Sequence, residues 1–171
     1  MSLLSWWREL RHNRQCNSEA EWLAYAPVLG TPQRIAAWID NNIDYDDAEL
    51  PLRWRTVQDT LSKTDTQGFR YGTCSEAACL ALVALRCLPG YKAEIACIDG
   101  EDKDRKKVGH AITCFSRPGV RGYINWEYCV EMADFTPWAA LILTASPVNE
   151  WLATVTGWCD QQGNRIPVVT L

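Results

Sequence analysis

Only two histidines occur in this chain of 171 residues, and no Cys-x-x-Cys pair accompanies its eight cysteines. A structural zinc site draws on closely spaced Cys and His ligands, so no metal is expected. No other cofactor is expected either. No apolar run reaches the roughly 18 residues that cross a bilayer, so no membrane span is expected. Positive charge is not in excess: 17 Lys and Arg stand against 21 Asp and Glu, for a net charge of -4, with the two signs interspersed. A nucleic-acid binder calls for a basic stripe, and that class is set aside. Internal repeats and low-complexity linkers are missing. The opening MSLLSWWRELRHNRQ has too short an apolar stretch for a signal peptide, because Arg8, Glu9 and Arg11 follow at once. The expectation is a cytoplasmic protein in which disulfides are not the default.

What is present fills a core. Hydrophobic residues make up 47% of the chain, including nine Trp. The length fits one domain over 1–171, with an N-terminal helical extension over 1–30 and a C-terminal helical extension over 131–171. Leu3, Leu4, Trp7 and Leu10 recur at helical spacing, which predicts a short amphipathic helix docked on the core; an interfacial membrane anchor is the alternative. Ser18 with Glu21 three positions on predicts a helix start. Thr31-Pro32 predicts another, with Ile35, Ala36 and Ile39 on one face and an end near Asn41-Asn42. Ile43 and Tyr45 fall in an acidic loop running to Pro51. A short helix is expected over 56–63 and a loop over 64–73. Cys74 to Leu88 is apolar nearly all round, the mark of a helix buried on most sides, and Pro89-Gly90 stops it. Strands are predicted over 91–98, 108–116 and 123–130, around a charged hairpin loop (99–107) and a turn (117–122). A helix is expected over 148–158 and an edge strand over 165–171. The fold class is α+β, with a buried helix carrying a cysteine packed on an antiparallel sheet.

Cys79, Cys87, Cys97, Cys114 and Cys129 sit among apolar residues and read as small core hydrophobes. Cys74 differs. It opens the buried helix after Gly72-Thr73, where free N–H groups and the partial positive charge of a helix start favour a thiolate, the form that attacks a carbonyl carbon. A cysteine nucleophile needs a base. His12 lies in the basic run Arg11-His12-Asn13-Arg14 and reads as solvated, which leaves His110 at the start of a strand behind Gly109. Asn125, on the next strand, is placed to orient the imidazole, with Glu127 as its competitor. The backbone N–H of Cys74 offers one oxyanion donor. Trp54, Gln58 and Gln67 are candidates for the second. Trp126 is a candidate wall beside Asn125, or a core residue.

The run Trp54-Arg-Thr-Val-Gln-Asp-Thr-Leu61, followed by Gly72-Thr-Cys74-Ser-Glu-Ala-Ala-Cys-Leu-Ala-Leu-Val-Ala-Leu85, resembles the transglutaminase-like superfamily, and above all its bacterial cysteine proteinases. There a Gly-Asp-Cys-Glu-Asp motif opens a buried Ala/Leu-rich helix. Gly109-His110-Ala111 resembles the family's His-bearing strand, and Ile35 to Tyr45 its helix-then-Tyr lead-in. The likeness covers roughly residues 33–130. Thr73, Ser75 and Asn125 depart from the family's usual Asp, Glu and Asp. The resemblance implies a papain/transglutaminase-like core and a Cys74, His110, Asn125 triad.

The expectation is a thiol hydrolase, a peptidase or amidase, acting on a protein or peptide through a Cys74 acyl-enzyme with His110 as base. The alternatives are an acyl transferase that forms an amide crosslink, and a catalytically silent member of the same fold that serves as a binding or structural module.

Overall fold

The computed structural model describes residues 15–46, 54–62, 70–145, 150, 152–160 and 164–166. The expected N-terminal amphipathic helix, His12 and Gln67 lie outside them.

Helix α1 (Glu19–Leu29) starts where Ser18 Oγ accepts the Glu21 N–H at 3.2 Å and the Glu21 carboxylate takes the Asn17 N–H at 2.7 Å. Such reciprocal capping satisfies donors that a helix start leaves open. Helix α2 (Pro32–Asn42) is capped by Thr31, with Pro32 in its first turn. Chain then enters β1 (Asp44–Tyr45), where a loop was expected. Ile43 is 1% exposed, and its burial pins this segment to the core. After α3 (Val57–Ser62), strand β2 (Tyr71–Gly72) pairs in parallel with β1, Tyr45 opposite Gly72.

Helix α4 (Cys74–Arg86) is buried at every residue from Cys74 to Leu85. Two side chains bond its backbone carbonyls: Trp22 Nε1 of α1 donates to Leu80 at 3.1 Å, and Thr113 Oγ1 from the sheet donates to Ala78 at 2.7 Å. The helix is thus held between α1 and α2 on one side and the sheet on the other.

Strands β3 (Lys92–Glu101), β4 (Lys107–Arg117), β5 (Val120–Asn125) and β6 (Tyr128–Ala133) follow, then a short helix α5 (Trp138–Ile142), and strands β7 (Leu152–Cys159) and β8 (Arg165–Ile166). They form a six-stranded sheet in the order β6-β5-β4-β3-β7-β8, antiparallel at every junction. Side chains alternate across it. Ala93, Ile95, Ala111, Phe115 and Ile124 join the α4 core. Ala96, Ile98, Ile112, Cys114 and Tyr123 join a second core with Leu141, Ile142 and Trp158. Helices packed on an antiparallel sheet agree with the expected α+β class.

Several expectations need correction. The single strand expected over 123–130 is a hairpin: β5 ends at Asn125, Trp126-Glu127 turn, and β6 begins at Tyr128. Glu127 therefore lies in the turn and not on the strand face of Asn125. The helix expected over 148–158 is strand β7, paired along β3 from Leu152 to Cys159. Its Thr154-Val155-Thr156 run is β-branched and favours a pleated, half-buried surface over a helix. The tail beyond 131 is thus not a helical extension: α5 is its short helix among the described residues, and β6, β7 and β8 are strands. Of the edge strand expected over 165–171, residues 165–166 form β8 on the sheet edge, and 167–171 lie outside the described residues. Cys97, expected as a core hydrophobe, is joined to Cys159 in a disulfide. Pairing of β3 with β7 brings their Cα atoms to 6.4 Å, inside the range a disulfide spans.

Candidate active site at the tip of the buried helix

The tip of α4 is built by residues 72–76 together with Arg55. Thr73 caps it, and its N–H donates to Glu76 Oε2 at 2.7 Å. Glu76 is fully buried, and its other oxygen, Oε1, lies 2.9 Å from Nη1 of Arg55. The Thr73 and Ser75 hydroxyls meet at 2.8 Å. A side chain at Gly72 would place its Cβ 2.9 Å from Ile43 Cγ2 and 3.3 Å from Glu76 Oε2, so only glycine lets β1, β2 and the capping carboxylate close up here. Cys74, 4% exposed, emerges at this point.

From the sheet side, β5 pairs with β4 from Thr113 onward, opposite Ile124. Beyond that position the β4 edge carries Ala111 and His110. The Ala111 backbone amide is close enough to the Cys74 thiol to pull its titration down, against the effect of burial. Ala111 directly follows His110 on β4, so the cysteine-bearing tip of α4 lies one residue along the strand from His110. His110 Nε2 lies 2.8 Å from Asn125 Oδ1. A carbonyl oxygen only accepts, so Nε2 carries the proton and Nδ1 the lone pair. Asn125 is 6% exposed.

A second contact ties the two arms together. Tyr45 pairs with Gly72, two residues before Cys74. Its ring packs edge-on against Trp126, the residue after Asn125, with centroids 5.2 Å apart and planes at 71°. Trp126 holds φ at 54° in the hairpin turn, a conformation that costs a bulky residue roughly 1–3 kcal/mol. Trp126 also packs against the α4 core, as the reading of it as a core residue expects.

Electrostatics revises the expected thiolate. Burial is the largest effect on Cys74 and pushes its thiol above the ordinary value. Hydrogen bonds from the amides of Ala111, Ser75 and Cys74 pull it back, and the Glu76 charge raises it again. Burial also lowers His110 below the ordinary imidazole value, against the hydrogen bond to Asn125. Each shift favours the neutral form of its own group, a thiol at Cys74 and an uncharged imidazole at His110. Cys79, one turn further along α4, is pushed up to about 12 by burial and by the charges of Glu76 and Asp160.

The remaining candidates separate. Glu127 is exposed in the hairpin turn, and the residue bonded to His110 is Asn125. Gln58 is exposed, and its Oε1 accepts the Glu19 N–H at 2.9 Å, which spends it on the start of α1. Trp54 is half-buried against the α4 core beside Arg55. Arg55 and Glu76 were missed as parts of the site. A capping-box glutamate two residues after the cysteine, inside an otherwise apolar helix, was the signal for Glu76. Arg55 left none.

No protein-family model matches this chain, and no curated protein matches it. Among the described residues no helix is long and apolar enough to cross a membrane.

Proposed function

We propose that the chain is a thiol hydrolase of the transglutaminase-like type, cleaving an amide bond through an acyl-enzyme on Cys74. The observation that carries this reading is the Asn125–His110 hydrogen bond, one residue along β4 from Ala111, whose amide acts on the Cys74 thiol. With Nε2 protonated and held by Asn125, Nδ1 acts as base. It takes the thiol proton as sulfur bonds to the carbonyl carbon, so a neutral pair is activated only during attack. The carbonyl oxygen gains the negative charge and accepts from backbone N–H groups at the α4 tip. The imidazolium then gives its proton to the leaving nitrogen as the C–N bond breaks. Water attacks the thioester and passes a proton to His110. The C–S bond breaks, and the thiol is restored. The lead-in to β1, the glycine before the cysteine and the cysteine-bearing buried helix against the sheet support a papain/transglutaminase-like core.

The burial of Cys74 favours a second reading, a catalytically silent module on the same scaffold. A peptide bearing a carbonyl-directed electrophile, followed by intact-mass measurement, separates the two. The hydrolase reading expects one adduct on the wild type and none on Cys74→Ala or His110→Ala, while Cys79→Ala is labelled as the wild type is. No adduct on any of these proteins, with no turnover of peptide amides, would leave the silent module.

A further inference from the structure

We propose that the cavity lined by Lys92, Ser116 and Arg121, on the α5 side of the sheet, is an anion site that takes the phosphate group of a small soluble phosphate monoester. The inference is independent of the hydrolase reading. Ser116 and His110 lie six residues apart on β4, which sets this cavity roughly 20 Å along the strand from the candidate active site.

Strand register brings the three residues together. Lys92 of β3 stands opposite Ser116 of β4, and Ser116 stands opposite Arg121 of β5. Opposed residues share one face of an antiparallel sheet, with Cβ atoms about 5 Å apart. That face is the one α5 covers: Cys114 and Tyr123, each two residues along from this row, belong to the core of Leu141 and Ile142. An ammonium, a hydroxyl and a guanidinium thus stand side by side. The same three residues line a cavity of about 300 Å³, the lower end of the range for small-ligand sites.

The arginines are positioned before any ligand arrives. Arg121 Nη1 donates to the Thr136 carbonyl at 2.9 Å, and its guanidinium lies 5.1 Å from the centroid of the Trp138 ring. Arg117, also on the cavity wall, lies 5.7 Å from the Tyr91 ring centroid and 3.6 Å from Glu131 Oε2. A guanidinium carries five N–H donors, so these contacts leave donors for a ligand. Lys92 is exposed and forms no ion pair among the described residues. Three cations therefore face two carboxylates, Glu131 on Arg117 and Asp134 on the cavity wall. A held guanidinium, an ammonium and a hydroxyl suit a group with several charged acceptor oxygens, and phosphate offers more of both than a carboxylate. Asp134 offsets part of the positive charge, so its removal should strengthen the site.

Calorimetric titration of the full chain with glycerol 3-phosphate, glycerate and glycerol tests this. Glycerol 3-phosphate is expected to bind saturably at one site, glycerate more weakly and glycerol not at all. Lys92→Gln and Arg121→Gln should each weaken the phosphate ester roughly tenfold, as expected for a lost hydrogen bond between charged groups. Asp134→Asn should tighten it. The Lys92 side chain is exposed, so Lys92→Gln keeps the thermal transition and tests the site even where Arg121→Gln fails to fold. Cys74→Ala should bind the ester as the wild type does. No saturable binding of the ester, glycerate bound as tightly as the ester, or Lys92→Gln indistinguishable from the wild type overturns the proposal. Binding confined to vesicles that contain phosphatidic acid, with none of the soluble ester, would give the cavity to a lipid headgroup and overturn it as well.

Discussion

Arg55 Nη1 lies 2.9 Å from Glu76 Oε1, and this pair holds a fully buried carboxylate at the start of the cysteine-bearing helix. The other oxygen of Glu76 caps Thr73. Taking away one partner of such a pair strands an uncompensated charge, which typically costs about 3–5 kcal/mol. Arg55→Met is therefore expected to lower the unfolding free energy by about 3 kcal/mol in urea titration. The double variant Arg55→Met/Glu76→Gln should recover part of that loss, because no buried charge remains.

Gly72 is the second fixed point of the helix tip. A methyl group there meets Ile43 Cγ2 at 2.9 Å and crowds Glu76 Oε2 at 3.3 Å. Overpacking of this kind costs about 1–3 kcal/mol. Gly72→Ala should destabilise by that amount and displace Cys74, so the rate of electrophile labelling should fall by more than the loss of folded protein explains. A variant as stable as the wild type would show that β1 and the cap have room to give way.

The titration of His110 has a defined sign. Burial lowers its folded value below the 6.5 of a free imidazole. As pH falls, the unfolded chain takes up this proton first. The His110 contribution to stability is thus whole above about 6.5 and is lost as pH falls from there through the lowered folded value. Activity that depends on neutral His110 follows the same limb, and kcat/KM should hold across neutral pH and drop below the ordinary imidazole value. Asn125→Asp puts a carboxylate against Nε2, favours the imidazolium and should move the limb upward. Asn125→Ala should cut kcat/KM roughly ten- to hundredfold, as expected for a hydrogen bond to a group that becomes charged. An Asn125→Asp profile superimposable on the wild type would detach Asn125 from the imidazole.

The Cys97–Cys159 disulfide spans 62 residues of sequence and fastens β7 to β3. Closing a loop of that length restricts the unfolded chain by about 4 kcal/mol in the chain-entropy treatment, and measured values are commonly 2–4 kcal/mol. Cys159→Ser should lower stability by that order under non-reducing conditions. Reductant should bring the wild type down to the level of the variant in the same urea experiment.

Sequence alone determined the parts set by local chemistry. Ser18 and Thr31 cap helices because their side chains reach an N–H three residues on. Cys74 to Leu85 forms a buried helix because it offers no polar stripe to water. Cys74 at the helix start, and Asn125 as the partner of His110, were legible from residue type and spacing. Tertiary structure decided what depends on which strands meet. The run from 152 to 159 became a strand because β3 offered an unpaired edge, and a period-based reading has no access to that edge. Glu127 lost its place beside His110 because the chain turns at Trp126. Cys97 found Cys159, and Arg55 found Glu76, across separations that no local pattern encodes. The state of the thiol was decided in the same way. A helix start favours a thiolate locally, but the sheet and the neighbouring helices strip water from the sulfur, and the cost of desolvating a charge outweighs the pull of the helix end.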